Sequence, residues 1–158
     1  SKHYMSMNQS NLAVLLQNRK VLKKLLDSLS LEQINKIPIG FNNNVLWNVA
    51  HVIAVQQILL YGLSNQPFVV EKNFVNRFSP GTKPDVFYDE TMISEVKLLL
   101  AFSYDRLIQD IQSNMFGSFN PYSTALRFEI NDLESAITFN LYHETLHTGH
   151  ILNLRKFL

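Results

Sequence analysis

The chain has 158 residues, 46% of them hydrophobic and 17% charged, with a formal net charge of +1 and no cysteine. Its length suits one domain, expected over residues 1–158, with roughly two thirds of its unfolded surface buried, and the missing cysteines exclude disulfides, thiolate ligands and a protein-borne thiol nucleophile. Without a Lys/Arg run there is no electrostatic case for nucleic acid or a membrane surface as a partner.

The start, SKHYMSMNQS, has no signal-peptide core, and no apolar run is expected to span a bilayer, so the expected location is the cytoplasm. Asn8 or Ser10 can cap a first helix near 8–28, in which Leu12, Leu15, Leu16, Leu22 and Leu26 form one stripe and Lys20, Lys23 and Lys24 lie mostly off it. Ser30-Leu31-Glu32-Gln33 has capping-box spacing for a short helical turn. That turn must stop before Ile37, because Pro38 disfavours α backbone in its predecessor. Gly40 and the run Asn42-Asn43-Asn44 then read as a loop, with Asn44 as the N-cap of the next helix.

The second helix, near 44–63, places Trp47, His51, Ala54, Val55, Ile58 and Leu59 at i, i+3/i+4 spacing, with His51 mid-face and Trp47 one turn before it. It is apolar almost all round, so it expects cover on more than one side. Val49, Val52, Ile53 and Leu60 leave little polar surface opposite His51, which predicts a homodimer.

Residues 64–88 are punctuated by Pro67, Pro80, Gly81 and Pro84 and scattered with aromatic rings. An ordered loop of that length is either a lid or binding segment or a packed connector. Asp89 caps a third helix near 89–114, with Ile93, Val96, Leu100, Leu107 and Ile111 inward. The piece TALRFEI that follows is β-prone but too isolated for a sheet. Asn131 or Asp132 caps a fourth helix near 132–157. Four long amphipathic segments predict an all-α, antiparallel four-helix bundle.

The last helix carries FNLYHETLHTGHILNL, in which His143, His147 and His150 make one stripe. A lone apolar-face histidine is more often a hydrogen-bonded core residue than a ligand. Here the stripe and the mid-helix His51 can meet across the core, and three neutral imidazoles on a divalent ion leave open positions for chemistry.

The segments LWNVAHVIAVQQILL and HETLHTGHILNLRKFL resemble the DinB/YfiT-like superfamily of metal-dependent bundle proteins, with one His on helix 2 and an HxxxH pair on helix 4. The resemblance implies a metal site of His51, His143 and His147 in a protein that often dimerises. Characterised relatives use low-molecular-weight thiols such as bacillithiol or mycothiol in S-transfer and isomerisation, so it also implies a thiol and an electrophilic substrate as partners. The family's Arg-Gly-Gln after the last ligand is here Thr148-Gly149-His150, so contacts made by that arginine and glutamine are not carried over. A non-catalytic, stress-associated metal-binding bundle is the alternative. Imidazole suits zinc, nickel, iron and copper alike, with zinc or nickel expected.

His143-Glu144-Thr145-Leu146-His147 also spells HExxH, the zinc-peptidase pattern in which the Glu is general base. That pattern wants a third ligand downstream, but 11 residues remain after His147 and the extended form's position holds Asn153. Glu144 is therefore read as solvated or as lying just behind the ligands. His150 is read as lying behind the ligands or on the pocket wall. At 1.5 Å rise per residue it stands about 10 Å from His143, too far for Nε–metal bonds of ~2.1 Å to reach one ion easily. His150, Glu144 and Trp47 are thus expected around the ligands, with His150 on the pocket wall.

Overall fold

A computed structural model describes residues 2–158, with side chains described from Asn8 onward, so His3 lies outside the described side chains. The elements are α1 (Lys2–Ser28), α2 (Leu31–Asn35), α3 (Val45–Gln56) running into a π-helical stretch (Gln57–Gly62), α4 (Lys72–Arg77), α5 (Glu90–Gln112) and α6 (Leu133–Leu154) ending in a 3-10 turn (Arg155–Phe157). The side chains of Ser30, Asn44, Asp89 and Asp132 accept from the backbone N–H of Gln33, Trp47, Met92 and Ser135. Each satisfies a donor that a helix start otherwise orphans, worth about 1 kcal/mol apiece. The start of α1 differs from expectation: it lies at Lys2, and Asn8 and Ser10 fall inside the helix. No glycine or proline interrupts the leading segment, so nothing stops the helix from propagating backwards.

The fold is an all-α bundle in which α1, α6, α3 and α5 pack around two clusters of buried hydrophobic side chains. Tyr104 donates to the Leu12 carbonyl (3.0 Å) and Lys97 pairs with Asp27 (2.7 Å), so α5 runs antiparallel to α1. His147 meets Asn48 (2.8 Å) and His150 meets Asn43 (3.3 Å), so α6 runs antiparallel to α3 and its N-cap loop. The other two contacts are parallel. Asn11 donates to Thr138 and Thr148 to Asn18 between α1 and α6, while Gln56 donates to the Ser103 carbonyl and Tyr61 to Asp110 between α3 and α5. The course is up, down, down, up, which refines the expectation of a uniformly antiparallel bundle.

Two consecutive long helices that point the same way need a return path. The helical stretch Val45–Gly62 rises about 27 Å at 1.5 Å per residue, and the segment between it and α5 covers that distance. This accounts for the length of residues 64–88, which form a packed connector: Val70, Phe74, Val75, Phe78 and Tyr88 are all buried in the core. The same connector bears on the dimer expectation. Val49, Val52 and Ile53 share that core cluster with it, and Leu60 is equally buried, so the face expected to meet a second copy is covered by the chain itself.

Val45–Gly62 also corrects the expectation that no run could span a bilayer. It has the length and a mean hydropathy of 1.4, but 89% of it is buried inside the bundle, where it serves as a core helix. The β-prone piece contributes to a two-stranded antiparallel ladder, Tyr122–Ser123 against Glu129–Ile130, closed by a turn in which Arg127 takes φ 66°. It remains a minor appendage to the helices.

Candidate metal centre

α3 and α6 cross with their histidines facing one another. The Asn44 cap fixes the phase of α3, which turns Asn48 and His51 towards α6, while His143 and His147 stand one turn apart on the facing helix. The ring centroids lie 5.2 Å apart for His51–His143, 4.8 Å for His51–His147 and 4.5 Å for His143–His147. One ring nitrogen from each residue lies within 4.8 Å of those of the others. Two donors on one ion at ~2.1 Å stand at most about 4.2 Å apart, so a small side-chain rotation brings the three onto a common centre.

The surroundings prepare these rings as donors. The Nδ1–H of His51 donates to the Phe78 carbonyl (2.7 Å), which leaves the Nε2 lone pair free, and His147 uses its Nδ1 in the same way on the Asn48 side-chain oxygen (2.8 Å). His143 Nδ1 is buried with no hydrogen-bond partner. An orphaned imidazole nitrogen beside two oriented ones fits a donor set for a metal ion, since buried polar atoms otherwise find partners. Burial pushes His143 down from 6.5 to about 3, with His51 adding to the effect. His147 is also pushed down to about 3, first by burial and then by His143, His51 and His150. Burial lowers His51 too, partly offset by its bond to Phe78. All three are therefore neutral near pH 7, the form that a metal binds.

Trp47 stacks on His51 at 4.5 Å and 13°, and its indole N–H donates to Thr82 of the connector (3.1 Å). His150 stands outside the three-imidazole group, against Phe41 (5.7 Å) and within 3.3 Å of the Asn43 side-chain oxygen. Thr148, where the family pattern has arginine, turns the other way and donates to Asn18 of α1.

Glu144 departs from the sequence reading. It is fully buried, and its two oxygens take a bidentate pair from Arg19 Nε and Nη2 (2.7 and 2.8 Å) plus the Asn140 amide (2.9 Å). It is neither solvated nor behind the imidazoles, because α6 carries two stripes: His143, His147 and His150 meet α3 and its cap loop, while Asn140, Glu144 and Thr148 lie towards α1. The carboxylate of the HExxH string is occupied by a guanidinium, so the peptidase assignment of a general base finds no free group there.

Sequence reasoning missed Asn48, the Phe78 carbonyl and Arg19. Asn48 was legible as a polar residue on the His51 face of an apolar helix, and Arg19 as a cation in the leucine stripe of α1 between Leu15 and Leu22. No residue pattern announces a backbone carbonyl.

The arrangement offers neutral nitrogen donors converging from two helices, with aromatic cover on one side. No curated protein matches the chain. A family model described as the DinB superfamily matches residues 15–151, a span that runs from α1 to α6 and takes in all three imidazoles, and the chain belongs to that superfamily.

Proposed function

We propose that His51, His143 and His147 hold a divalent ion, zinc or nickel, and that the protein transfers a low-molecular-weight thiol of the bacillithiol type to an electrophile, in the cytoplasm. When bound, such an ion supplies positive charge that favours a thiolate over a thiol at neutral pH. The observation that carries the reading is the convergence of three neutral imidazole nitrogens within 4.8 Å. Neutral donors leave the ion's charge undiminished. The Phe78 carbonyl and Asn48 orient two of the rings, Trp47 covers one face of His51, and His150 stands beyond His147 at the Asn43 loop, where it can contact a bound thiol. The chain has no cysteine, so sulfur chemistry here takes its sulfur from a ligand.

A second reading, a bundle in which the ion only stiffens the core, draws on one specific observation: Glu144, the carboxylate that follows His143 in sequence, is tied up by Arg19 and unavailable for proton transfer.

The test joins metal content to turnover. Elemental analysis should find metal in the purified protein, most of it lost in His51→Ala and nearly all retained in His150→Gln. Consumption of a chlorodinitrobenzene-type electrophile should require the thiol, stop on chelation and return with zinc or nickel. Metal uptake without thiol-dependent turnover would leave the core-stiffening reading, and no uptake at all would remove both.

A further inference from the structure

The structure assigns to Asn48 a positioning role: its amide dictates which nitrogen of His147 carries the proton, and so which lone pair is presented to His51 and His143. The consequence for metal rests on the reading above. The tautomer itself belongs to the metal-free protein.

Asn48 is fully buried on α3, three residues before His51. Its Nδ2 donates to the Asn44 backbone carbonyl (2.8 Å) and to the Asn43 side-chain oxygen (2.9 Å). A backbone carbonyl only accepts, so the amide has one permissible orientation, with its nitrogen towards the cap loop and its oxygen towards α6. That oxygen faces His147 Nδ1 at 2.8 Å, and an acceptor there demands Nδ1–H. A neutral imidazole protonated at Nδ1 has its lone pair on Nε2. The same logic extends one step outward. Asn43 Oδ1, already accepting from Asn48, lies 3.3 Å from His150 Nε2 and accepts from that ring as well. A single backbone carbonyl at the start of α3 thereby fixes the hydrogen-bond directions from Asn48 to His147 and, through Asn43, to His150.

Partners behind metal-ligating histidines are generally worth 10–100-fold in affinity, and that is the scale expected here. The experiment uses the full chain. Long-range proton–nitrogen correlation on the metal-free, nitrogen-labelled protein identifies the protonated nitrogen of His147, and a zinc titration follows. Wild type should show Nδ1–H alone. Asn48→Leu, similar in volume but without an acceptor, should give a mixture of tautomers and about 10–100-fold weaker zinc binding. Should that variant not fold, Asn48→Ser carries the comparison, because its hydroxyl can bond back to the Asn44 carbonyl while leaving His147 without an acceptor. Asn48→Asp keeps an acceptor for His147 but sets its other oxygen against the Asn44 carbonyl and Asn43 Oδ1, so it should restore the Nδ1–H tautomer while lowering stability. A role confined to holding the cap loop would not be rescued this way. Retention of pure Nδ1–H with wild-type affinity when the acceptor is removed, or failure of folded Asn48→Asp to restore the tautomer, overturns the assignment. If wild type takes up no zinc, the metal reading falls while the tautomer comparison still decides the role of Asn48.

Discussion

Glu144→Gln should lower the unfolding free energy by about 3–5 kcal/mol, because it leaves the Arg19 guanidinium buried without its counter-charge. Arg19 is 3% exposed and Glu144 0%, so water cannot take over from the lost partner. The pair is also the centre of a layer that joins all four long helices. Arg19 of α1 reaches Glu144 of α6 and, on α5, the Leu100 carbonyl and Ser103 hydroxyl, and the Ser103 carbonyl accepts from Gln56 of α3. Denaturant unfolding measures the loss, and the double variant Arg19→Met, Glu144→Leu should recover most of it, since an apolar pair of similar volume incurs no desolvation cost. A HExxH general base behaves oppositely: its glutamine variant loses hydrolysis and keeps its stability. A loss below about 1 kcal/mol would therefore rule out a structural role for Glu144 and reopen the peptidase one.

Acidification of the metal-free protein should produce a loss of similar size. His143 and His147 stay neutral in the folded state down to about pH 3, whereas in the unfolded chain they take up protons around 6.5. The unfolded state thus binds more protons across that interval, so stability is fully present above about pH 6.5 and falls as pH drops towards 3. Each imidazole contributes a slope of about 1.4 kcal/mol per pH unit, and lowering pH from 6.5 to 5 should cost on the order of 4 kcal/mol for the two together. Urea midpoints at matched ionic strength between pH 7.5 and 5 check this. Replacing both histidines by glutamine should flatten the profile in that window, and an unchanged slope would mean that the rings are solvated in the folded state. Saturating zinc should raise stability at pH 7.5, by about 2.7 kcal/mol at a hundredfold excess over Kd, and less at pH 5 as protons compete for the same lone pairs.

Helix identity was legible because caps and apolar spacing are local signals. Ser30, Asn44, Asp89 and Asp132 each act where the sequence places them. The sense of the helices was not legible. Whether α5 runs with or against α3 depends on how residues 64–88 travel, and nothing in a Pro-punctuated aromatic segment encodes a direction. The burial of α3 was legible and what covers it was not: an all-round apolar helix announces that it needs cover but not its source, and the buried Phe74 and Phe78 show that the chain's own connector supplies it. At the site, the imidazole spacing was readable because i, i+4 geometry is fixed by the helix. Glu144 was misplaced because one residue along a helix turns a side chain by 100°, from α3 to α1, and its partner lies 125 residues away.

The connector's return along the bundle has a kinetic consequence. Its Phe78 carbonyl holds His51, and His147 is 99 residues from Asn48 in sequence, so the full set of three imidazoles is assembled only after the crossover has packed and the chain's distant parts have closed. Long-range closures of this kind dominate folding times and are completed late. The His143–His147 pair is available as soon as α6 forms, whereas the third donor joins only on closure, so the part of any ion's stabilisation that depends on His51 should appear as slower unfolding rather than faster folding.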